Sequence, residues 1–360
     1  MGEIVNRTRN IFLDSEQYHS GGDLVRMFLP NDAFSLHKDE SMKFIVSSFE
    51  MQKKFYNINK HNNTFYAVVT SIFGRIYTEI KIKEGDYFQF GENADVSNSL
   101  CQAIYNALDD AVIKPIIPKS SAVTYNVTTR KLAIDMSGVA NSKWNSSTYF
   151  VSFQIPNQRQ PNPLPTGVSD LGIFNDSYEI LGAKPTKRSN ITIPAFQEDA
   201  SKVFTSFYPA SLYTIESIHL RTSLQSNNYQ SPSLNADSQA SRLIPTEILA
   251  RFPIDMGKMF ENIKQDIPSI IKFEDTGAEL YSMALQQKQI DTFNFRLTDA
   301  KGREIAEVSA DQYLNGALSY KMVLKWEAIH SPEVGQPAGF LSRDHQLEAK
   351  QENTYIRNAF

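Results

Sequence analysis

Cysteine is almost absent from the sequence, since Cys101 is the single one in 360 residues. One thiol cannot form a disulfide within the chain, so a disulfide-stapled fold is excluded. Long apolar runs are also missing, because none approaches the roughly 20 residues that a membrane-spanning helix needs. The N-terminus lacks the basic start and apolar stretch of a secretory signal peptide. These absences predict a protein that is made and folds in a reducing compartment, without a membrane span.

A block of basic residues is absent too. Lysine plus arginine (36) nearly balance aspartate plus glutamate (40), which gives a formal net charge of -4. This balance argues against a protein whose main role is to neutralise nucleic-acid phosphates, and we expect no direct sequence-specific binding of nucleic acid. The hydrophobic content of 41% is sufficient for a folded core, and the length allows two ordinary domains or one large β domain.

Motifs for catalysis, cofactors and metals are missing as well. The chain has six scattered histidines: His19, His37, His61, His219, His330 and His345. None is paired with another histidine or with the cysteine at the spacing of zinc ligands, and phosphate-binding or dinucleotide glycine loops are absent. The adjacent carboxylates of Asp109 and Asp110 should point in different directions. We therefore predict a protein that is not an enzyme, with no catalytic residues, no cofactor and no metal.

Two loops leave a choice between a ligand site and an ordinary turn. The stretch "KEGDYFQF" (83–90) could be a ligand loop, and "LTDAKGRE" (297–304) could bind a cation through Asp299. The interpretation that we favour for both is a solvated β-turn, in which aspartate begins the turn and glycine closes it. A glycosidase on a β scaffold also stays open, because its two carboxylates need no sequence motif.

Apolar and polar residues alternate, with a period of two, in many segments along the chain. Strands are predicted by stretches such as "MKFIVSSFEMQ" (42–52), "TYFVSFQI" (148–155), "FNFRLTD" (293–299) and "LSYKMVLKW" (318–326). A hairpin is expected about residues 128–131. The 23 phenylalanines and 16 tyrosines could be base-stacking platforms, but their alternating positions favour core packing. About a dozen strands indicate an all-β sandwich or barrel.

One segment has the period of a helix instead. Apolar residues at three- and four-residue intervals from Val96 to Val112 predict an amphipathic helix, which Asp95 is placed to cap and Pro115 to end. Cys101 lies next to the apolar stripe, so we expect a packed thiol rather than a nucleophile.

The richest proline stretch, "PNQRQPNPLPTG" (156–167), is the best candidate for a linker. It suggests a first domain at residues 1–160 and a second at 161–330. Residues 331–360 show no sustained periodicity, and we expect an extended C-terminal arm.

Several segments together resemble a group of viral jelly-roll proteins. The opening "IFLDSEQYHSGGDLVRMFLP" (11–30) is similar to the first strands of that group, and "TEIKIKEGDYFQFGENADVSNSLCQAIYNAL" (78–108) to its strand, turn and helix. Its next hairpin resembles "AVTYNVTTRKLAID" (122–135), and its closing strands resemble "IESIHLRTSL" (215–224), "FNFRLTDAKGREI" (293–305) and "LSYKMVLKWE" (318–327). Such proteins occur in DNA viruses with jelly-roll capsids, including virophage-, polinton- and giant-virus-like elements.

The resemblance implies a capsid structural protein that self-assembles into an icosahedral shell in the virion and is made inside the host cell. The form that we favour from the length and the proline-rich centre is two tandem jelly rolls, at residues 1–160 and 161–330, which would imply a major capsid protein that forms homotrimeric capsomers. A single elaborated jelly roll would imply a minor or vertex (penton) capsid protein. Either form would contact copies of itself and other capsid proteins, and contact with an inner membrane stays open. Outside viruses, the alternative is a β-sandwich module that binds carbohydrate or a receptor.

Overall fold

The fold is described from a computed structural model. The description covers residues 4–15, 24–28, 34–37, 40–72, 74–91, 99–111, 122–137, 149–156, 177–183, 192–222, 230–232, 243–245, 247–264, 269–285, 289–290, 292–303, 305 and 319–330. No helix among these residues is long and apolar enough to cross a membrane.

Nineteen strands and three helices make up the described part of the chain. The strands are β1 (Ile4–Asp14), β2 (Leu24–Phe28), β3 (Glu40–Gln52), β4 (Thr64–Ser71), β5 (Gly74–Lys81), β6 (Ala122–Asn126), β7 (Lys131–Asp135), β8 (Tyr149–Pro156), β9 (Thr192–Pro194), β10 (Phe196–Glu198), β11 (Val203–Ser206), β12 (Ser217–Thr222), β13 (Gln230–Pro232), β14 (Leu243–Pro245), β15 (Ile248–Pro253), β16 (Ile270–Glu274), β17 (Ser282–Leu285), β18 (Thr292–Asp299) and β19 (Tyr320–His330). The helices are α1 (Leu100–Ala111), α2 (Ser177–Leu181) and α3 (Met256–Lys264).

The alternating patterns place the strands as the sequence predicts. Along β19, the apolar side chains from Tyr320 to Trp326 are buried at every second position, while Lys321 is exposed between them. The predicted hairpin near residues 128–131 is present, because β6 pairs with β7 from Asn126↔Lys131 onward. The predicted helix is present as α1, which begins at Leu100, four residues after the expected start, and Cys101 is fully buried in it. Asp95 and Pro115, the expected cap and end of the helix, lie outside the described residues.

Nine strands from the two ends of the described chain form one sandwich. Its first sheet, called sheet 1, has the order β1-β19-β3-β16, with β17 also pairing with β3. Its second sheet, sheet 2, has the order β15-β12-β18-β2. The two sheets face each other, because Phe49 of sheet 1 stacks on Phe252 of sheet 2 with ring centroids 4.1 Å apart, and Phe44 meets Phe293 edge-on at 5.0 Å.

The strand order of this sandwich is that of a jelly roll. Strands β16 and β17 pair with successive parts of β3 and share one strand position. Counted along the chain, the eight positions then follow the order 1-8-3-6 in sheet 1 and 2-7-4-5 in sheet 2, the two interleaved Greek keys of a jelly roll. The expected all-β jelly-roll fold is confirmed, and we call this unit the jelly-roll sandwich.

The described strands between residues 64 and 206 form a second sandwich, which is inserted in the sequence between the third and fourth strands of the jelly roll. One sheet has the order β5-β4-β8-β9 and the other β10-β11-β7-β6. Phe153 of β8 packs edge-on against Phe204 of β11 at 5.0 Å, so these two sheets also enclose a core. Counted along this segment, the order is 2-1-5-6 and 7-8-4-3, which differs from a jelly roll. We call this unit the inserted sandwich.

The strand pairing does not follow the expected division into residues 1–160 and 161–330. Strand β1 pairs with β19 from Ile4↔His330 onward, and β3 pairs with β16, so both chain ends contribute to sheet 1. The pairing of the described strands therefore does not fit the favoured form, two tandem jelly rolls, and fits the alternative, a single elaborated jelly roll. The proline-rich stretch and the expected arm at 331–360 lie outside the described residues, apart from Pro156 at the end of β8.

Candidate functional site

A network of buried polar contacts lies where the two sandwiches meet. The chain crosses between them twice, through residues 53–63 after β3 and through residues 207–216 after β11. The loop 82–91, which follows β5, packs against the first crossing through an isolated pair of backbone hydrogen bonds between Ile58 and Gly85. Three segments that are remote in sequence therefore converge at this junction.

Asn57 ties these three segments together. Its side-chain amide donates to the carbonyl oxygen of Tyr87 at 2.6 Å and to that of Leu212 at 3.3 Å, and its Oδ1 accepts from the backbone N–H of Tyr87 at 2.9 Å. Its own carbonyl oxygen accepts from Thr214 Oγ1 at 2.7 Å and from Asn62 Nδ2 at 2.9 Å. Asn57 is 1% exposed, so these bonds are shielded from water, and losing one would leave a costly unpaired polar group.

A buried ion pair lies beside Asn57. The Lys53 ammonium donates to both carboxylate oxygens of Asp86, at 2.7 and 2.8 Å, and to the carbonyl oxygen of Phe55 at 2.6 Å. Its side chain is only 3% exposed. Burial lowers the pKa of Lys53 from its ordinary value, although the neighbouring carboxylate acts in the opposite direction. The pair fixes the end of β3 to the loop that follows β5.

A third link joins helix α2 to the turn that follows β18. Lys301 Nζ contacts Glu179 Oε1 at 2.8 Å and lies 5.4 Å from the centre of the Tyr178 ring. A cleft of about 330 Å³ opens beside this contact. Its lining includes residues from α2, from the second crossing and from the turn: Glu179, Ser211, Tyr213, Thr214, Ile215, Glu216, Asp299, Ala300 and Lys301.

A second cleft, of about 440 Å³, shares Glu179 and Ser211 with the first. Tyr208 forms part of its wall and is 47% exposed. Gly182 lies at its floor with a φ of +66°, and a Cβ there would come within 2.1 Å of the Tyr208 carbonyl oxygen. This close approach of two backbone segments requires glycine.

Two of the three carboxylates that line the first cleft, those of Glu179 and Asp299, are held in ion pairs. Glu179 is held by Lys301, and Asp299 is held by Arg303, whose Nε donates to Oδ2 at 2.7 Å. A glycosidase needs one carboxyl group as an acid and a second as a base or nucleophile on either side of a sugar. With two of its carboxylates in ion pairs, the cleft supports a structural role at the junction better than hydrolysis.

The residues that the sequence singled out are not brought together. Asp109 and Asp110 are exposed at the end of α1, His37 is exposed, and His219 is buried in β12. His19 and His345 lie outside the described residues. No group of three or more potential metal ligands occurs within the ranges described.

The two loops with alternative interpretations have different outcomes. Asp299 begins a turn, because its Oδ1 accepts from the N–H groups of Lys301 and Arg303 and Gly302 has a positive φ of 81°. The expectation of a solvated turn at 83–90 is wrong, since Asp86 binds the buried Lys53 and Tyr87 is 8% exposed. Sequence analysis also missed Lys53 and Asn57, whose partners are distant in the chain.

The comparisons with known proteins concern the chain as a whole. No protein-family model matches the sequence, and no curated protein is detectably similar to it. Among solved structures, the chain is similar to the mavirus penton protein, with 13% identity, a TM-score of 0.38, and coverage of 89% of this chain and 99% of that one. It is also similar to a chain of the Sputnik virophage structure determined by cryo-EM, with 12% identity, a TM-score of 0.33, and coverage of 89% and 98%.

Proposed function

We propose that this protein is a structural protein of a viral capsid and that it occupies the vertex of an icosahedral shell. The observation that carries the proposal is the strand order of the jelly-roll sandwich, 1-8-3-6 facing 2-7-4-5. This strand order is that of a jelly roll, the fold expected for the capsid proteins that the sequence resembles. The protein would then be located in the virion, after assembly in the host cell with copies of itself and with other capsid proteins.

The vertex role is favoured over that of a major capsid protein by the number of jelly rolls. In the group that the sequence resembles, trimeric major capsid proteins have two jelly rolls in tandem. Here the second unit is inserted between β3 and β12, and its described strands follow another order. A chain with one jelly roll suits a position where five copies meet.

The physical properties of the jelly-roll sandwich suit repeated packing in a shell. Its two sheets bury large aromatic side chains against each other, including Phe44, Phe49 and Trp326, which makes a rigid block. The nearly balanced overall charge allows copies to lie side by side without strong repulsion. Closed symmetry requires a surface that is complementary to its own copies. We retain the C-terminal arm at 331–360 as part of the proposal, as a segment that contacts a neighbour.

The mass and outline of the purified protein test this proposal directly. We expect pentamers, because a vertex protein of an icosahedral shell is arranged around a fivefold axis. The mass is measured by light scattering on a sizing column, and the outline is seen by negative-stain electron microscopy of the same fractions. Trimers with a six-cornered outline would contradict the vertex role and support a major capsid protein. A monomer that stays monodisperse at high concentration would contradict the capsid proposal.

A further inference from the structure

The outward face of sheet 2 carries one arginine from each of its four strands. These are Arg26 of β2, Arg296 of β18, Arg221 of β12 and Arg251 of β15. Neighbouring positions such as Leu220, Phe252 and Leu297 are buried in the core. Because side chains alternate between the two faces of a sheet, the four arginines share the opposite face. We call them the arginine row.

Strand register places the four side chains in a nearly continuous line. Arg221 is directly opposite Arg296. Arg26 is opposite Asn294, which lies two residues before Arg296 on the same face of β18, so Arg26 and Arg296 are diagonal neighbours. Arg251 is opposite His219, which lies two residues before Arg221 on β12, so Arg251 and Arg221 are also diagonal neighbours. With strands 4.7–4.9 Å apart, the row spans about 14 Å across the sheet.

Among the described residues, one of the four arginines on this face forms an ion pair with a carboxylate. Arg296 forms an ion pair with Glu247 at 2.6 Å. The other three arginines donate to neutral side chains, through the following contacts: Arg221 Nε to Thr298 Oγ1 at 2.9 Å, Arg251 Nε to Ser217 Oγ at 3.2 Å, and Arg26 Nε to Asn294 Oδ1 at 3.2 Å.

The arrangement stores electrostatic repulsion that a bound anion would relieve. Like charges directly opposite each other on adjacent strands destabilise a sheet, and Arg221 faces Arg296 in this way. The pKa of Arg221 is lowered from its ordinary value, first by burial and then by Arg296, while Glu247 and Asp299 act in the opposite direction. Burial, Arg221 and Arg251 likewise lower the pKa of His219, against the effect of Asp299. Apart from His219, the four arginines are the ionisable side chains at the described outward positions of these strands.

The outward face of sheet 1 differs from the arginine row because it carries charges of both signs. There Glu50 lies opposite both Lys321 and Lys272, so neighbouring strands carry opposite signs. Lys325 and Glu327 form a further ion pair at 2.5 Å. The described residues of sheet 1 therefore form no acidic counterpart to the arginine row, which argues against a second copy docking through these two sheet faces. A separate polyanion fits the row better than the sheet 1 face of a second copy.

We propose that the arginine row binds the phosphate backbone of a nucleic acid without reading its sequence. Guanidinium groups form paired hydrogen bonds with phosphate oxygens, which a row of lysines would not do. Among the described side chains on this face, Phe28 at the edge is the single phenyl ring and the imidazole of His219 is buried, so the face lacks the stacking platform that recognises bases. Contacts to phosphate alone hold a strand in place but carry no sequence information. The inference does not depend on the proposed capsid role.

The test compares binding of fluorescein-labelled oligodeoxythymidine by the full chain and by variants, using fluorescence anisotropy. If four phosphates are neutralised, the logarithm of the association constant should fall with the logarithm of salt concentration with a slope of about -2.8. The variant R26Q/R221Q/R251Q/R296Q should bind at least about tenfold more weakly at about 50 mM salt, with a slope close to zero. The control Lys60→Gln/Arg75→Gln/Lys83→Gln/Lys258→Gln loses the same charge from exposed positions elsewhere and should bind within about twofold of the unchanged chain.

Two further measurements keep the result decisive. The variant R26Q/R251Q changes only two exposed arginines, so it should fold even if the fourfold variant does not, and its slope should fall to about half. Polyglutamate serves as a competitor. Failure of the unchanged chain to bind at about 50 mM salt, or equal weakening by the control, would overturn the proposal. Tighter binding of polyglutamate than of DNA would also overturn it and would identify an acidic protein as the partner.

Discussion

Replacing Asp86 by alanine is expected to reduce the free energy of unfolding by about 3–5 kcal/mol, the usual cost of removing one partner of a buried ion pair. The reason is the position of Lys53, whose side chain is 3% exposed. Without the carboxylate, its ammonium group would keep the carbonyl oxygen and the ring of Phe55 as neighbours, and its charge would lie uncompensated in the junction. The backbone N–H of Asn57 would also lose its bond to Asp86 Oδ1, which is 3.1 Å long. The expected loss therefore reflects the buried groups left behind more than the strength of the pair itself.

Urea unfolding followed by circular dichroism measures this effect, and two variants control for it. Glu198→Ala removes a surface ion pair with Lys202 and should cost less than about 1 kcal/mol. The double variant Lys53→Met/Asp86→Ala removes both charges and should recover much of the stability lost in Asp86→Ala. A change below about 1 kcal/mol in Asp86→Ala, or no recovery in the double variant, would show that burial of Lys53 does not govern the stability of the junction.

The sequence was sufficient to predict the local elements because their signals are local. Strands such as β18 and β19 show alternation at every second residue, and α1 shows the three- and four-residue spacing of a helix. The burial of Cys101 followed from the same spacing. Each of these features depends on the chemistry of a few successive residues, which the sequence displays directly.

The insertion was not predictable from the same signals because strand pairing is a long-range property. Nothing within β1 indicates that its partner is β19, more than 300 residues later. A proline-rich stretch between two groups of strands therefore looked like a domain boundary, although the chain had already left the jelly-roll sandwich after β3 and returned to it at β12. Composition is the main sequence signal for a domain boundary. In the folded protein, however, the boundary depends on which strands pair in the same sheet.

The junction and the arginine row were missed for a related reason. Arg26 and Asn294 are 268 residues apart in the chain and adjacent in sheet 2. Read singly, each arginine is an ordinary polar residue at an outward position of a strand. Only the register brings four of them into one line, and only the fold shows that Asp86, in a loop expected to be solvated, neutralises a buried lysine.

The jelly-roll sandwich depends on aromatic packing between its sheets, and Phe49 is at the centre of that contact. Its ring is fully buried, lies 4.1 Å from that of Phe252 at an angle of 14°, and lies 5.6 Å from that of Tyr320. Strand β3, which carries Phe49, is also the last jelly-roll strand before the insertion. A cavity at this position would weaken the contact between sheets 1 and 2.

We therefore expect Phe49→Ala to lower the free energy of unfolding by about 3–5 kcal/mol, the range for a fully buried phenylalanine. Phe12→Ala is the matched control, because Phe12 lies in β1 of the same sheet but is 62% exposed, and its loss should change stability by about 0.5 kcal/mol or less. Both values come from urea unfolding of the full chain. Equal effects of the two substitutions would contradict the facing of sheets 1 and 2 through Phe49 and Phe252. A large effect confined to Phe49→Ala would support it, because the substitution is identical and the two sites differ mainly in burial between the sheets.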